Sequence, residues 1–217
     1  MKINNLHDFR DAEALIWNAP GVGVLYHEFR DALFATQVRL HNTIAGNTQK
    51  AINDGLKDLL RHLGWTEWVP NPELPRNKSD FRRASPVSEV HAIGAEVQFS
   101  NMAKVSDDLT KLNFGILYKR IDVALLVIPS REMARLMDEN LPPFDRVVRE
   151  LEQRKEQFRF LRVLVIEMTH DGLVGVEAPR KRERPAKGRG YTEEKLVPEI
   201  RIDYGILGRS EDELHQP

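Results

Sequence analysis

The chain of 217 residues contains no cysteine. Disulfides and thiolate metal sites are thereby excluded, and a reducing cytoplasm is the expected location. No apolar run approaches the roughly 20 residues a membrane-spanning helix needs. The start Met1-Lys2-Ile3-Asn4-Asn5 has no apolar signal core, so no membrane partner is expected. An excess of one charge is also missing, with 32 Lys and Arg against 33 Asp and Glu. That disfavours a protein coating nucleic acid indiscriminately, but not one that gathers its basic residues on one surface. There is no internal repeat, and Gly21-Val22-Gly23 lacks the rest of a Rossmann or P-loop pattern.

What is present fits one soluble globular domain over residues 1–217, since 41% of residues are hydrophobic and 30% charged. The pattern predicts a short helix over 7–17 and a second from about Leu25 to Leu40, with Phe29, Leu33 and Phe34 on one stripe. A third helix, capped by Asn47 or Thr48, places Ile52, Leu56, Leu59, Leu60 and Leu63 on an apolar face and stops at Gly64. After the proline-rich stretch Pro70 to Pro75, residues 77–83 read as the first strand of a hairpin. Ala84-Ser85-Pro86 is its turn and Val90 to Ser100 the return strand, with Gly94 marking a bulge or a close backbone approach. Val105, Leu109, Leu112 and Ile116 recur at helical spacing over 104–117, and Ile121 to Pro129 and 161–166 read as buried strands. Helices are also expected over 131–137 and from Pro142 to about Gln157. Helices alternating with apolar strands predict an α/β fold with a mixed central sheet flanked by helices. A basic arm at about 179–191 carries six positive side chains between Arg180 and Arg189. Such a run is either a solvated loop or a phosphate-contacting arm.

The return strand ends Ala95-Glu96-Val97-Gln98-Phe99-Ser100-Asn101. Side chains alternate across a strand, so Val97 and Phe99 share one face while Glu96 and Gln98 project together from the other. A polar pair of that kind is either an ordinary solvent face or a site.

The wording Glu96-Val97-Gln98-Phe99-Ser100-Asn101 resembles the active-site strand of the BglII/BstYI group of type II restriction endonucleases, a Glu-X-Gln branch of the PD-(D/E)XK nucleases. The resemblance covers roughly residues 50–140. Ser106 to Lys111 is similar to the group's Tyr-Asp-Leu-Phe-X-Lys helix, Arg120 to Pro129 to its Lys-Ile-Asp-Val strand, and Ala51 to Trp65 to its helix ending in Gly-Trp. It implies a PD-(D/E)XK restriction-endonuclease-like fold in a prokaryotic cytoplasmic enzyme. It further implies a homodimer acting on double-stranded DNA, which cuts a short palindrome, with a GATC core in similar enzymes, and leaves 5′ overhangs.

Phosphodiester cleavage needs a nucleophilic water and stabilised negative charge, which Mg2+ on oxygen ligands supplies. By resemblance, Asp80, Glu96 and the Val97 carbonyl would hold the metal while Gln98 orients the water. The group's aspartate, nine residues before its glutamate, falls here on Val87. Asp80 replaces it if the hairpin is seven residues longer, and Ser79-Asp80-Phe81-Arg82-Arg83 resembles the group's Thr-Asp-Phe-Val-Lys. Glu89 is the alternative. Ser100, Asn101 and Lys104 lie on the path toward DNA, where Asn suits adenine; Ser100-Asn101 reads equally as a helix cap. Arg180, Lys181 and Arg182 of the arm would contact phosphates. Two other readings stay open, a catalytically inactive DNA-binding protein on this fold and a structure-selective repair nuclease.

Overall fold

The computed structural model describes residues 1–42, 47–138, 140–175 and 196–208. At the N-terminus the fold departs from the helix expected over 7–17. Residues Lys2–Phe9 form a strand, β1, and helix α1 spans only Ala12–Asn18. β1 pairs antiparallel with the later strand Val163–Thr169, with Leu6 opposite Ile166. This tertiary pairing overrides the weak helical period, and Arg10 and Asp11, both at positive φ, turn the chain into α1. α2 covers Val22–Ala35, and the chain then becomes strand β2, Thr36–His41, rather than continuing as helix to Leu40. Here the period switches from 3.6 to 2: Thr36, Val38 and Leu40 are buried in alternation, and two of the three are β-branched.

Helix α3, Gln49–His62, has Thr48 as its cap, the Thr48 hydroxyl accepting from the Lys50 amide at 3.4 Å. Gly64, at φ 86°, ends it in the left-handed region that glycine enters without strain. Asn47 does not cap. Its buried amide instead ties the backbone of His41 to the Leu136 carbonyl.

After β3 (Thr66–Trp68) come the hairpin strands β4 (Ser79–Ser85) and β5 (Ser88–Val97), joined at Pro86-Val87. Helix α4 is Met102–Leu117, β6 is Val123–Pro129, α5 is Arg131–Met137, α6 is Phe144–Gln153 and β7 is Val163–Thr169. The short strands β8 (Gly172–Val174) and β9 (Glu199–Ile202), which no periodicity in the sequence announces, flank β2 in a small second sheet.

The main sheet has the order β1-β7-β6-β5-β4-β3. β5, β6 and β7 are parallel, and the outer strands join antiparallel, so this is a mixed sheet. Every residue of β6 is buried. Val123, Leu125 and Val127 pack into the layer holding Phe29, Leu56 and Trp65; Ala124, Leu126 and Ile128 pack into the opposite layer with Leu109 and Leu112 of α4 and Leu151 of α6. Gly94 does mark a close approach: a Cβ there would stand 2.8 Å from Ile121 and 2.9 Å from the Trp68 ring. The register runs regularly past Gly94, and the hairpin's irregularity falls between Ala84 and Ser85. Among the described residues no helix is long and apolar enough to cross a membrane.

Candidate active site

The register of one hairpin brings the site together. Phe81 pairs with Ala95, and the next antiparallel step sets Asp80 opposite Glu96. The Val97 amide donates to Asp80 Oδ2 at 3.3 Å. Glu89 lies near the other end of β5, seven residues from Glu96, roughly 23 Å at strand rise. The structure thus sets Asp80, not Glu89, beside Glu96; the side chain of Glu89 lies outside the described residues.

Val97 and Phe99 do enter the core on one face. The Glu96 face, however, is not open to solvent, because α4 covers it, and Glu96 is only 2% exposed. Its Oε1 accepts from the Ser79 hydroxyl and from Lys111 Nζ, the latter at 3.0 Å. Lys111 also reaches Asp108 Oδ1 at 2.5 Å and donates to the Lys78 carbonyl at 3.2 Å. Gln98 Nε2 donates to Asp108 Oδ2, which leaves the amide oxygen of Gln98 as the end able to accept from a water.

Asp108, Lys111 and Ser79 were not singled out by sequence, and Asp108 had a readable signal. It lies between Val105 and Leu112 on the apolar stripe of α4, and it is 3% exposed. A carboxylate on a buried helix face needs a partner, and Lys111 stands three residues on, within side-chain reach.

Charge is crowded here. Burial, then the charges of Asp108 and Asp80, push the Glu96 acid well above the usual carboxylate range, with Lys111 opposing. Burial also raises Asp108, again against Lys111. The Lys111 ammonium is disfavoured by burial, but Glu96 and Asp108 outweigh this and raise its pKa. Three carboxylates facing one ammonium invite a further cation.

The donors on offer are hard oxygens, which fits Mg2+. Among the described residues no three His, Cys, Asp or Glu side chains form a ready metal-binding group. Asp80 and Glu96 would therefore need the Val97 carbonyl and water to complete a shell, and Mg2+ is commonly held by one or two carboxylates with several waters.

Beyond β5, the Asn101 side chain caps α4, its Oδ1 accepting from the Lys104 amide at 3.2 Å. A bidentate adenine contact would require that oxygen to leave the cap. The Asn101 and Lys104 side chains are exposed and Ser100 is half-buried. Arg180, Lys181 and Arg182 lie outside the described residues.

A family model described as "Restriction endonuclease BglII/BglIII" matches residues 5–160. The fold is similar to the crystal structure of restriction endonuclease BglII complexed with a DNA 16-mer, with a TM-score of 0.61 at 17% identity, covering 79% of this chain and 78% of that one. No curated protein matches the sequence.

Proposed function

The chain belongs to the BglII/BglIII family of restriction endonucleases, and from that premise we propose a Mg2+-dependent enzyme that acts as a homodimer on a short palindrome and leaves 5′ overhangs. The observation that carries this reading is the apposition of Asp80 and Glu96 across the hairpin, with Gln98 on the same strand face. Asp80, Glu96 and the Val97 carbonyl would hold the metal, which when bound would supply an activated water and stabilise charge on the phosphate. Ser79 and Lys111 fix the Glu96 carboxylate in place. Asp108 holds the amide nitrogen of Gln98, so that its oxygen can orient the attacking water. An amide is no base at neutral pH, so Gln98 positions the water without taking its proton, which would pass to a phosphate oxygen of the substrate or to solvent water.

A palindrome calls for two copies related by a two-fold axis, one site for each strand. The likeness of Glu96 to Asn101 to the family's active-site strand supports a GATC core. Ser100, Asn101 and Lys104 at the start of α4 would face the bases. The arm at Arg180, Lys181 and Arg182 would add phosphate contacts, and neutralising it should flatten the salt dependence of binding. Digesting phage DNA with Mg2+ and sequencing the ends tests the whole reading. Defined ends at one palindrome, abolished by EDTA, are expected. Binding without cutting would point instead to the inactive DNA-binding protein, and cuts confined to flaps or junctions would point to a repair nuclease.

A further inference from the structure

At the edge of the sheet that holds the site, α5 and α6 enclose an open groove of about 490 Å³ lined by Arg131, Arg135, Arg146 and Arg149. Two acids, Asp138 and Asp145, also line it, so four guanidinium groups face two carboxylates, a local charge of +2. The chain as a whole carries −1. Arg131 is paired with Asp145 at 2.5 Å. Arg135, Arg146 and Arg149 are exposed, and their side chains enter no ion pair or hydrogen bond among the described residues.

We propose that this groove is a binding site for the phosphate backbone of duplex DNA, beside the scissile phosphate and separate from the carboxylate site; the proposal rests on the nuclease reading above. Three features carry it. The first is position. β5 and β6 are parallel with Val97 paired to Val127, so the end of β6 lies on the same edge as Glu96, and α5 begins two residues past that end. Arg131 therefore stands within roughly 15 Å of Val97 by strand spacing and rise, a span of about four nucleotides at 3.4 Å per strand.

The second feature is electrostatic. Asp80, Glu96 and Asp108 outnumber the single Lys111 beside them, so the protein's own side chains in the cutting site offer a polyanion no net positive charge. A duplex drawn onto that edge needs positive charge to either side, and distribution rather than net charge supplies it. The third is chemistry. All four cations are arginines, whose planar fork grips phosphate oxygens in pairs, which lysine does not do. The Asp145 pair braces Arg131 across the groove from α5 to α6 and leaves the other three forks for the ligand.

The test replaces Arg135, Arg146 and Arg149 by Gln, together and singly. Affinity for a labelled duplex several helical turns long, carrying a sequence the wild type cuts or, if it cuts none, the sequence it binds most tightly, is measured in Ca2+ over a salt series. Removing one phosphate-binding cation should reduce the slope of log K against log salt by about 0.9, so the slope of the triple variant should fall by roughly 2 to 3. A triple Arg→Lys variant should keep most of the slope and bind more weakly. Cleavage at limiting DNA should fall in step with the loss of affinity, because the three arginines hold the substrate. A triple Gln variant that melts like wild type and keeps the full slope overturns the proposal. So does one whose slope is unchanged but whose oligomeric state shifts, which would give the groove to an acidic face of a second copy. Cutting is scored separately. A triple Gln variant that shows the predicted slope change beside a wild type that binds but never cuts defeats the nuclease reading and leaves the groove standing.

Discussion

Replacing Glu96 by Gln should make the metal-free protein more stable while ending cleavage. Glu96 is buried with Asp80 and Asp108 around the single ammonium of Lys111. Burial first, then the neighbouring carboxylates, hold its acid above the usual range. At neutral pH the unfolded chain, with an ordinary pKa of about 4.3, ionises this group more easily than the folded one. Glutamine keeps the shape. Its oxygen can accept from Ser79 and Lys111 as the carboxylate does, its NH2 can donate toward Asp80, and Lys111 retains Asp108 at 2.5 Å. No buried charge is orphaned, so the usual penalty of about 3–5 kcal/mol for removing one partner of a buried pair does not apply. Relief of the crowding should contribute about 0.5–2 kcal/mol, the common range for a single stabilising substitution. That is roughly 1–8 °C in melting temperature for a chain of this length. The gain grows as pH rises above about 4.3 and is lost below it, where the wild-type acid is protonated in both states. Circular-dichroism melts in EDTA across this range, with plasmid cutting in Mg2+ scored alongside, make the measurement. A variant no more stable than wild type at neutral pH, or one whose advantage grows on acidification, would refute the crowding argument.

Four further substitutions probe separate parts of the same architecture. Asp80→Asn should abolish cleavage and Glu89→Gln should not, with DNA binding in Ca2+ preserved in both; the reverse result in a plasmid assay would mean that the second carboxylate is not the one beside Glu96. Lys111→Met leaves Glu96 and Asp108 without their cation, so stability should fall by about 3 kcal/mol and cleavage should drop, read by urea unfolding and by plasmid cutting; an unchanged midpoint would show that the ammonium is dispensable. Gly115→Ala should gain about 1 kcal/mol of helix propensity, but its Cβ would overlap the Trp68 ring. Overpacking of this kind costs about 1–3 kcal/mol, so a lower melting temperature is expected, and a higher one would mean that Trp68 moves aside freely.

How much of this was legible in the sequence depends on whether a segment's own period decided its structure. The run Val123 to Pro129 is buried on both faces and read correctly as a strand, and α4 showed its spacing through Val105, Leu109 and Leu112. β1 was missed because its residues are mostly exposed and only β7 makes it a strand. β2 falls inside the helix expected to Leu40 because the stripe of Phe29, Leu33 and Phe34 carries no mark of where the helix stops. Only the alternate burial of Thr36, Val38 and Leu40 reveals the change.

The site divides along the same line. A motif read along one strand reports what that strand projects, and it yielded Glu96 and Gln98. It does not report what closes over them. Ser79 meets Glu96 from 17 residues before it, Lys111 from 15 residues after it, and Asp108 meets Gln98 from 10 residues on. Each of those three separations depends on packing, through the hairpin register or through α4 crossing the sheet. Read alone, the polar face of the strand is therefore either a solvent face or a site. What distinguishes a buried site from a solvated strand is the charged pair Asp108 and Lys111 on the side of α4 that turns toward the sheet. A helix does not keep a carboxylate in its apolar stripe without a reason elsewhere in the fold, and here the reason is the strand it covers.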